Sequence, residues 1–188
     1  MKATLTAFVL LFTSLVLNAQ DATVEKSIYG IQAGLGIWGN NELRLTDKTV
    51  LRSEIGFDAA VWGGQYYDNT GFLLTPVLSV EPRKYYNLNK RAGKGRVIED
   101  NNGNFISLKV AYRPDWFVIS NEDVNIVSDI SFIPYWGIRR NLSNSFNYEV
   151  GIGMGVIHYF AENAGFVEDD TDFIVALHLR IGLKLGGQ

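Results

Sequence analysis

The chain has 188 residues, a formal net charge of −3 and no cysteine. Without cysteine there is no disulfide, no thiolate metal site, no thiol nucleophile and no lipid attachment at a cysteine. The mildly acidic balance, with 17 Lys and Arg against 20 Asp and Glu, excludes a basic nucleic-acid binder; one domain is the expectation at this length.

Met1-Lys2 gives a short positive start, and 3–17 is an apolar run relieved only by Thr4, Thr6, Thr13 and Ser14. Leu17-Asn18-Ala19-Gln20 then offers a small residue for cleavage after Ala19. This is the order of a secretory signal peptide, so residues 1–19 are expected to be removed and 20–188 to form the mature domain. No later segment approaches the roughly 18 apolar residues of a spanning helix. If the mature chain meets a membrane, it must do so as strands.

From residue 27 on the pattern has period two, the mark of strands with two unlike faces. Residues 28–45 keep one parity, with Tyr29, Ile31, Ala33, Leu35, Ile37, Leu43 and Leu45 on the apolar side. Two strands are expected here, turning within 36–41, because Gly39-Asn40-Asn41 is the turn chemistry available and single-chain bacterial barrels have an even strand count. Residues 50–62 set Leu51, Ile55, Phe57 and Val61 against Arg52, Glu54 and Asp58. Residues 72–86 set Phe72, Leu74, Leu78 and Val80 against Thr75, Ser79, Glu81 and Arg83. A long basic connection, 87–102, follows, in which Gly93-Lys94-Gly95-Arg96 is expected to be a solvated turn. Residues 105–112 oppose Ile106, Leu108 and Val110 to Ser107 and Lys109. Residues 124–139 oppose Ile126, Phe132, Trp136 and Ile138 to Asp129, Ser131 and Arg139. Residues 146–160 oppose Tyr148, Val150, Ile152 and Met154 to Glu149 and three alternate glycines. Residues 172–185 oppose Val175, Leu177, Leu179 and Ile181 to His178, Arg180 and Lys184.

Eight strands follow, with short turns at 46–48 and 142–145. The longer loops 63–71, 117–123 and the acidic 161–171 lie at the other end. Pro76, Pro82 and Pro134 fall inside strands; lacking a backbone N–H, each is expected to mark a bulge or a strand end.

The charged parity is too charged for a soluble core and the apolar parity too apolar for a wet surface. A polar lumen within an outward apolar band gives that combination. The lumen set is Glu42, Arg44, Arg52, Glu54, Asp58, Glu81, Arg83, Lys109, Asp129, Arg139, Glu149, His178, Arg180 and Lys184, with mixed signs that predict paired charges and no solute channel. Aromatics recur near strand ends, as two girdles would require: Trp62, Tyr66, Tyr67 and Phe72 at one end, Tyr85 and Tyr86 at the other, then Tyr112, Trp116 and Phe117, Tyr135 and Trp136, and finally Tyr159, Phe160 and Phe173. Tyr66, Tyr67, Trp116 and Phe117 are the candidate outer-loop contacts.

The stretches Glu81-Pro82-Arg83-Lys84-Tyr85-Tyr86-Asn87-Leu88, Pro134-Tyr135-Trp136-Gly137-Ile138-Arg139-Arg140-Asn141 and Leu177-His178-Leu179-Arg180-Ile181-Gly182 resemble the small outer-membrane β-barrel proteins of Gram-negative bacteria, and more broadly the OmpA/OmpX-like eight-stranded barrels. The resemblance implies a cell-envelope location and a fold, not an activity.

Little else carries chemistry. Gly151-Ile152-Gly153-Met154-Gly155 lacks the helix and spacing of a dinucleotide fingerprint, and Gly93-Lys94-Gly95-Arg96 lacks those of a P-loop. His158 faces outward near the expected outer rim and is the one credible base for acyl chemistry, but no nucleophile elbow accompanies it. His178 reads as an inward hydrogen-bonding partner.

The expectation is therefore an all-β, closed, antiparallel transmembrane β-barrel in the outer membrane, porin-like in class. Its lumen would be charge-filled and its role structural or surface-interacting. Its partners would be outer-membrane lipid and, during insertion, the barrel-assembly machinery. No catalytic residue, metal, cofactor or nucleic acid is implied, and no surface partner is named. The alternatives are an outer-membrane enzyme modifying lipid or lipopolysaccharide acyl chains, and a secreted soluble β-barrel holding a small apolar ligand.

Overall fold

The computed structural model describes residues 21–64 and 69–187. The expected signal segment 1–19 and the candidate contacts Tyr66 and Tyr67 lie outside the described residues. The strands are β1 (Ser27–Gly34), β2 (Gly36–Thr46), β3 (Thr49–Trp62), β4 (Gly71–Tyr85), β5 (Asn104–Arg113), β6 (Ile119–Ser120), β7 (Asp129–Asn141), β8 (Phe146–Tyr159) and β9 (Asp170–Gly187), with one short helix, α1 (Leu88–Ala92).

The fold is all-β, with nine antiparallel strands in one sheet. Eight of them close a ring: each pairs with the next in chain order, β5 with β7, and β9 returns to β1. The two-residue β6 adds only to β4, through Leu73↔Ser120 and Leu74↔Ile119. Closure removes the free edges along which open sheets aggregate.

The ring has two unlike ends. The β1–β2 turn, the β3–β4 connection, 114–128 and 160–169 gather at one, the loop end. Segment 21–26, the Asp47-Lys48 turn, 86–103 and 142–145 gather at the other, the turn end.

Alternation governs burial, in the reverse of a soluble sheet. Inward positions carry Glu42, Arg52, Glu54, Glu81, Arg83, Arg139 and Glu149, all buried; outward positions carry exposed Ile55, Met154, Leu177, Leu179 and Ile181. Arg52 and Arg83 are 0% exposed, whereas Leu177 is 79% exposed.

Several details depart from the sequence expectations. The first reversal falls at Leu35, between paired Gly34 and Gly36, and Gly39-Asn40-Asn41 runs inside β2. Gly36 takes φ +140, and a Cβ there would strike the Phe57 carbonyl and the Trp38 ring, so glycine is required. The strand expected from 124 begins at Asp129.

The prolines break the hydrogen-bond ladder without shifting it. Around Pro82 the β4–β5 pairing lapses, yet Leu78↔Tyr112 and Arg83↔Ser107 keep one register. Around Pro134 the β7–β8 pairing lapses, yet Phe132↔Val156 and Tyr135↔Gly153 keep one register. Pro76 continues β4 opposite Phe57, beyond the reach of the β5 pairing. A missing N–H thus costs a rung, and the neighbouring strand on the other side holds the chain extended. The bulges fall elsewhere, at Tyr29/Gly30 and Arg44/Thr46.

Segment 86–103, expected as a long basic connection, is a folded cap. Leu88 from α1 packs with Ala22, Val24, Val50, Tyr85 and Phe105 in a small apolar cluster at the turn end, with Ile98 against it. Tyr85 accordingly faces inward instead of standing in a girdle. Phe105 lies opposite Gly137, where a Cβ would enter its ring. The missing side chain makes room for the aromatic. Asp100 and Asn101 adopt φ 57 and 58, a left-handed pair tolerated best by such short polar residues, and this turns Asn101 up into the ring.

Candidate functional site

The interior is one connected set of charged groups. Nearest the cap, Glu42 accepts from Arg52 at 2.9 Å, from Arg139 at 3.0 Å and from the Asn101 side-chain amide at 2.8 Å. Glu149 accepts from Arg139 at 2.8 Å and from Arg83 at 3.0 Å, and lies 2.9 Å from His178 Nε2. Arg83 also faces Glu81 at 3.0 Å, and its guanidinium stacks 4.3 Å from the Phe105 ring centroid. Midway along the axis, Glu54 collects Arg52 and Arg180 at 2.7 Å, Lys109 at 2.9 Å and the Ser79 hydroxyl at 3.1 Å. Gln32 accepts from Arg52 at 2.7 Å.

Toward the loop end, Arg113 bridges Asp58 at 3.0 Å and Asp129 at 2.9 Å. Trp38 Nε1 donates to Asp58 at 2.9 Å, and Arg180 sits 3.7 Å over the Trp38 ring. Such cation–π stacking adds attraction where water is excluded.

The candidate lumen residues divide. Glu42, Arg52, Glu54, Glu81, Arg83, Lys109, Arg139, Glu149, His178 and Arg180 meet inside the ring; Asp58 and Asp129 join at its loop end. Arg44 and Lys184 do not join the interior. Arg44 bonds the Val24 carbonyl, and Lys184 pairs with Asp100 of the cap at 2.7 Å. Arg113, just past the expected end of its strand, is the charge that sequence reasoning missed.

With Arg113 included, six carboxylates (Glu42, Glu54, Asp58, Glu81, Asp129, Glu149) face six cations (Arg52, Arg83, Lys109, Arg113, Arg139, Arg180). Burying an ion costs several kcal/mol unless its hydrogen bonds are replaced. Here Glu42, Glu54 and Glu149 each serve three of these cations, and Asp58, Glu81 and Asp129 serve one each.

Outside the ring, the aromatics spread toward both ends. Phe72, Trp116, Phe117, Phe166 and Phe173 are exposed toward the loop end; Tyr29, Tyr86, Trp136 and Phe146 are exposed toward the turn end. Tyr135 is half-buried and turned inward, with His178 edge-on at 6.1 Å, which corrects its place in a girdle. Phe117 approaches Phe57 at 6.1 Å, and Trp116 is exposed. His158 Nδ1 lies 2.8 Å from the Thr171 hydroxyl, with Asp169 at 3.7 Å; no serine flanks it on these strands.

The loop end holds a cavity of about 310 Å³ lined by Thr75, Arg113, Ile126, Asp129 and Tyr159. Beside it is one of about 500 Å³ that shares Tyr159 and adds Phe166, Glu168 and Asp169. Among the described residues, no group of three or more His, Asp or Glu is placed to hold a metal ion. Comparison with protein-family models, with curated proteins and with solved structures gives no match.

Proposed function

We propose that the ring is a transmembrane β-barrel of the outer membrane, exported by a cleaved 1–19 signal, with a charge-locked lumen that conducts no solute. In this reading it is a relative of the small OmpA/OmpX-like barrels that its sequence resembles. Its role is structural or surface-interacting.

One observation carries the reading: a closed ring whose wholly buried side chains include Arg52, Arg83, Glu42 and Glu149 while Leu177, Leu179 and Ile55 face out. In water this burial would be backwards, because apolar surface is driven inward. Against hydrocarbon it is the stable arrangement, since closure satisfies the backbone within the wall. The turn end would face the periplasm and the loop end the outside. Trp116 and Phe117 are then the surface contacts.

Interior positions taken by ions bonded to one another are the reverse of a cavity for an apolar ligand, which disfavours the soluble alternative. Fractionation tests the reading. The chain should stay in outer membranes through carbonate washing and migrate faster unboiled than boiled in electrophoresis. Release into the soluble fraction would sink the proposal.

A further inference from the structure

The cations of the described chain fall into two populations. Those inside the ring, with Lys48 and Lys184, all have a carboxylate partner. Among the described residues, Lys26, Arg44, Lys84, Lys90, Arg91, Lys94, Arg96 and Arg140 form no ion pair with a carboxylate. All eight belong to the turn end, on segments 21–26 and 86–103 or on the adjoining ends of β2, β4 and β7.

Two of these guanidinium groups are held in fixed places by uncharged acceptors, and a third residue, Arg96, is anchored by its backbone. Arg91 donates to the Val97 carbonyl and to Asn102 Oδ1, both at 2.8 Å. Arg140 donates to the Gly103 carbonyl at 2.9 Å and to Asn104 Oδ1 at 2.5 Å. The Arg96 backbone N–H is tied to the Arg91 carbonyl at 3.0 Å. Burial, and then the like charges of Arg140 and Arg96, hold the Arg91 guanidinium below its ordinary value. It remains charged at any physiological pH, so this corner stores unrelieved positive potential.

The same corner adjoins the exposed apolar wall. Asn104 Nδ2 lies 3.4 Å from the Tyr86 hydroxyl, which accepts from Trp136 Nε1 at 2.7 Å. Trp136 stands beside exposed Ile106. Going outward from the cap, the surface passes from guanidinium to amide, to phenol and indole tips, and then to aliphatic side chains. That order matches a lipid read from phosphate to acyl chain, with Tyr and Trp at headgroup level.

We propose that Arg96 and Arg140, backed by the charge of Arg91, bind the headgroup phosphate of an anionic phospholipid whose acyl chains lie along Trp136 and Ile106. The inference rests on the membrane reading above. Guanidinium forks bind phosphate oxygens in pairs, and the adjacent hydrocarbon-facing wall selects a lipid over free phosphate.

The test inserts the full chain into vesicles of phosphatidylcholine alone and into vesicles containing about a third phosphatidylglycerol, then counts retained lipid after mild detergent extraction by native mass spectrometry. Phosphatidylglycerol should be retained in preference to phosphatidylcholine, and inorganic phosphate should not displace it. Arg96→Gln should weaken that preference about fivefold, and Arg96→Gln with Arg140→Gln should abolish it, while Lys26→Gln leaves it unchanged. The Arg96 side chain makes no hydrogen bond among the described residues, so its variant tests binding without a folding defect. Insertion with no lipid preference, a preference untouched by Arg96→Gln, or displacement by inorganic phosphate overturns this inference alone. Failure to insert into either vesicle overturns the membrane reading as well.

Discussion

Glu42 illustrates how much one residue can hold. It is buried, and it accepts from Arg52, Arg139 and Asn101, so it ties β3, β7 and the cap to β2. Removing one partner of a buried pair leaves the others charged and unsolvated, at about 3–5 kcal/mol. Glu42→Leu is therefore expected to lower stability by about that much, read as an earlier urea midpoint for the chain folded in detergent. Adding Arg139→Leu should recover part of the loss, because it removes one of the stranded charges. Two independent, additive losses in the double-mutant cycle would show that the pair is not coupled. His158 makes a contrast. Its contacts are the Thr171 hydroxyl and Asp169 at an exposed rim, so His158→Ala should leave both the urea midpoint and the acyl composition of outer-membrane lipid unchanged. An altered lipid profile would revive the enzyme alternative.

At the scale of elements, the turn-end cap is a separable unit. The five-residue α1 has no side-chain N-cap bond and is too short to persist by itself. Its fixed position depends on Leu88, wholly buried among Tyr85, Phe105 and Val50. Leu88→Ala should cost about 2–5 kcal/mol in the docking of the cap while leaving the ring closed. Trypsin should then cut at Lys90 and Lys94 sooner, with heat-modifiable migration retained. Unchanged cleavage would mean that Asn101 and Lys184 hold the cap without Leu88.

This cap also shows where sequence reading stopped. Strands and their inward or outward parity were legible because a closed wall has only two faces, so Arg52, Glu54 and Glu149 declare their side by spacing alone. The reversal at Leu35 was hidden because Gly34 pairs with Gly36. A turn of that register leaves the alternation intact across both strands, and only the positive φ of Gly36 marks it. Arg113 was lost by one residue at a strand end. Tyr85 alternates with the same parity as its charged neighbours, but its aromatic character suggested a girdle. Leu88 and Asn101 carry no local signal of burial; their positions arise from contacts with strands distant in sequence.

The whole molecule is a charge-balanced lumen between two ends of opposite sign. The turn end carries Lys90, Arg91, Lys94, Arg96 and Arg140; the loop end carries Asp115, Glu122, Asp123, Glu162, Glu168, Asp169, Asp170 and Asp172. Between them, Arg52, Arg83 and Arg139 extend from β3, β4 and β7 to the same two carboxylates, Glu42 and Glu149. Side chains from opposite walls therefore meet on the axis. An eight-stranded interior has room for little else. An ion entering would have to break buried, multiply bonded pairs in a region of low dielectric, where such bonds are strongest. Planar bilayers holding the folded chain should accordingly show no discrete openings above the lipid baseline. Replacing Arg83, Arg139 and Glu149 together by Ser removes two cations, one anion and three long side chains from that level, so any variant that still migrates as the folded form should show steps of conductance. Steps from the unaltered chain would mean that the pairs open readily, and the locked lumen would have to be abandoned in favour of a gated pore.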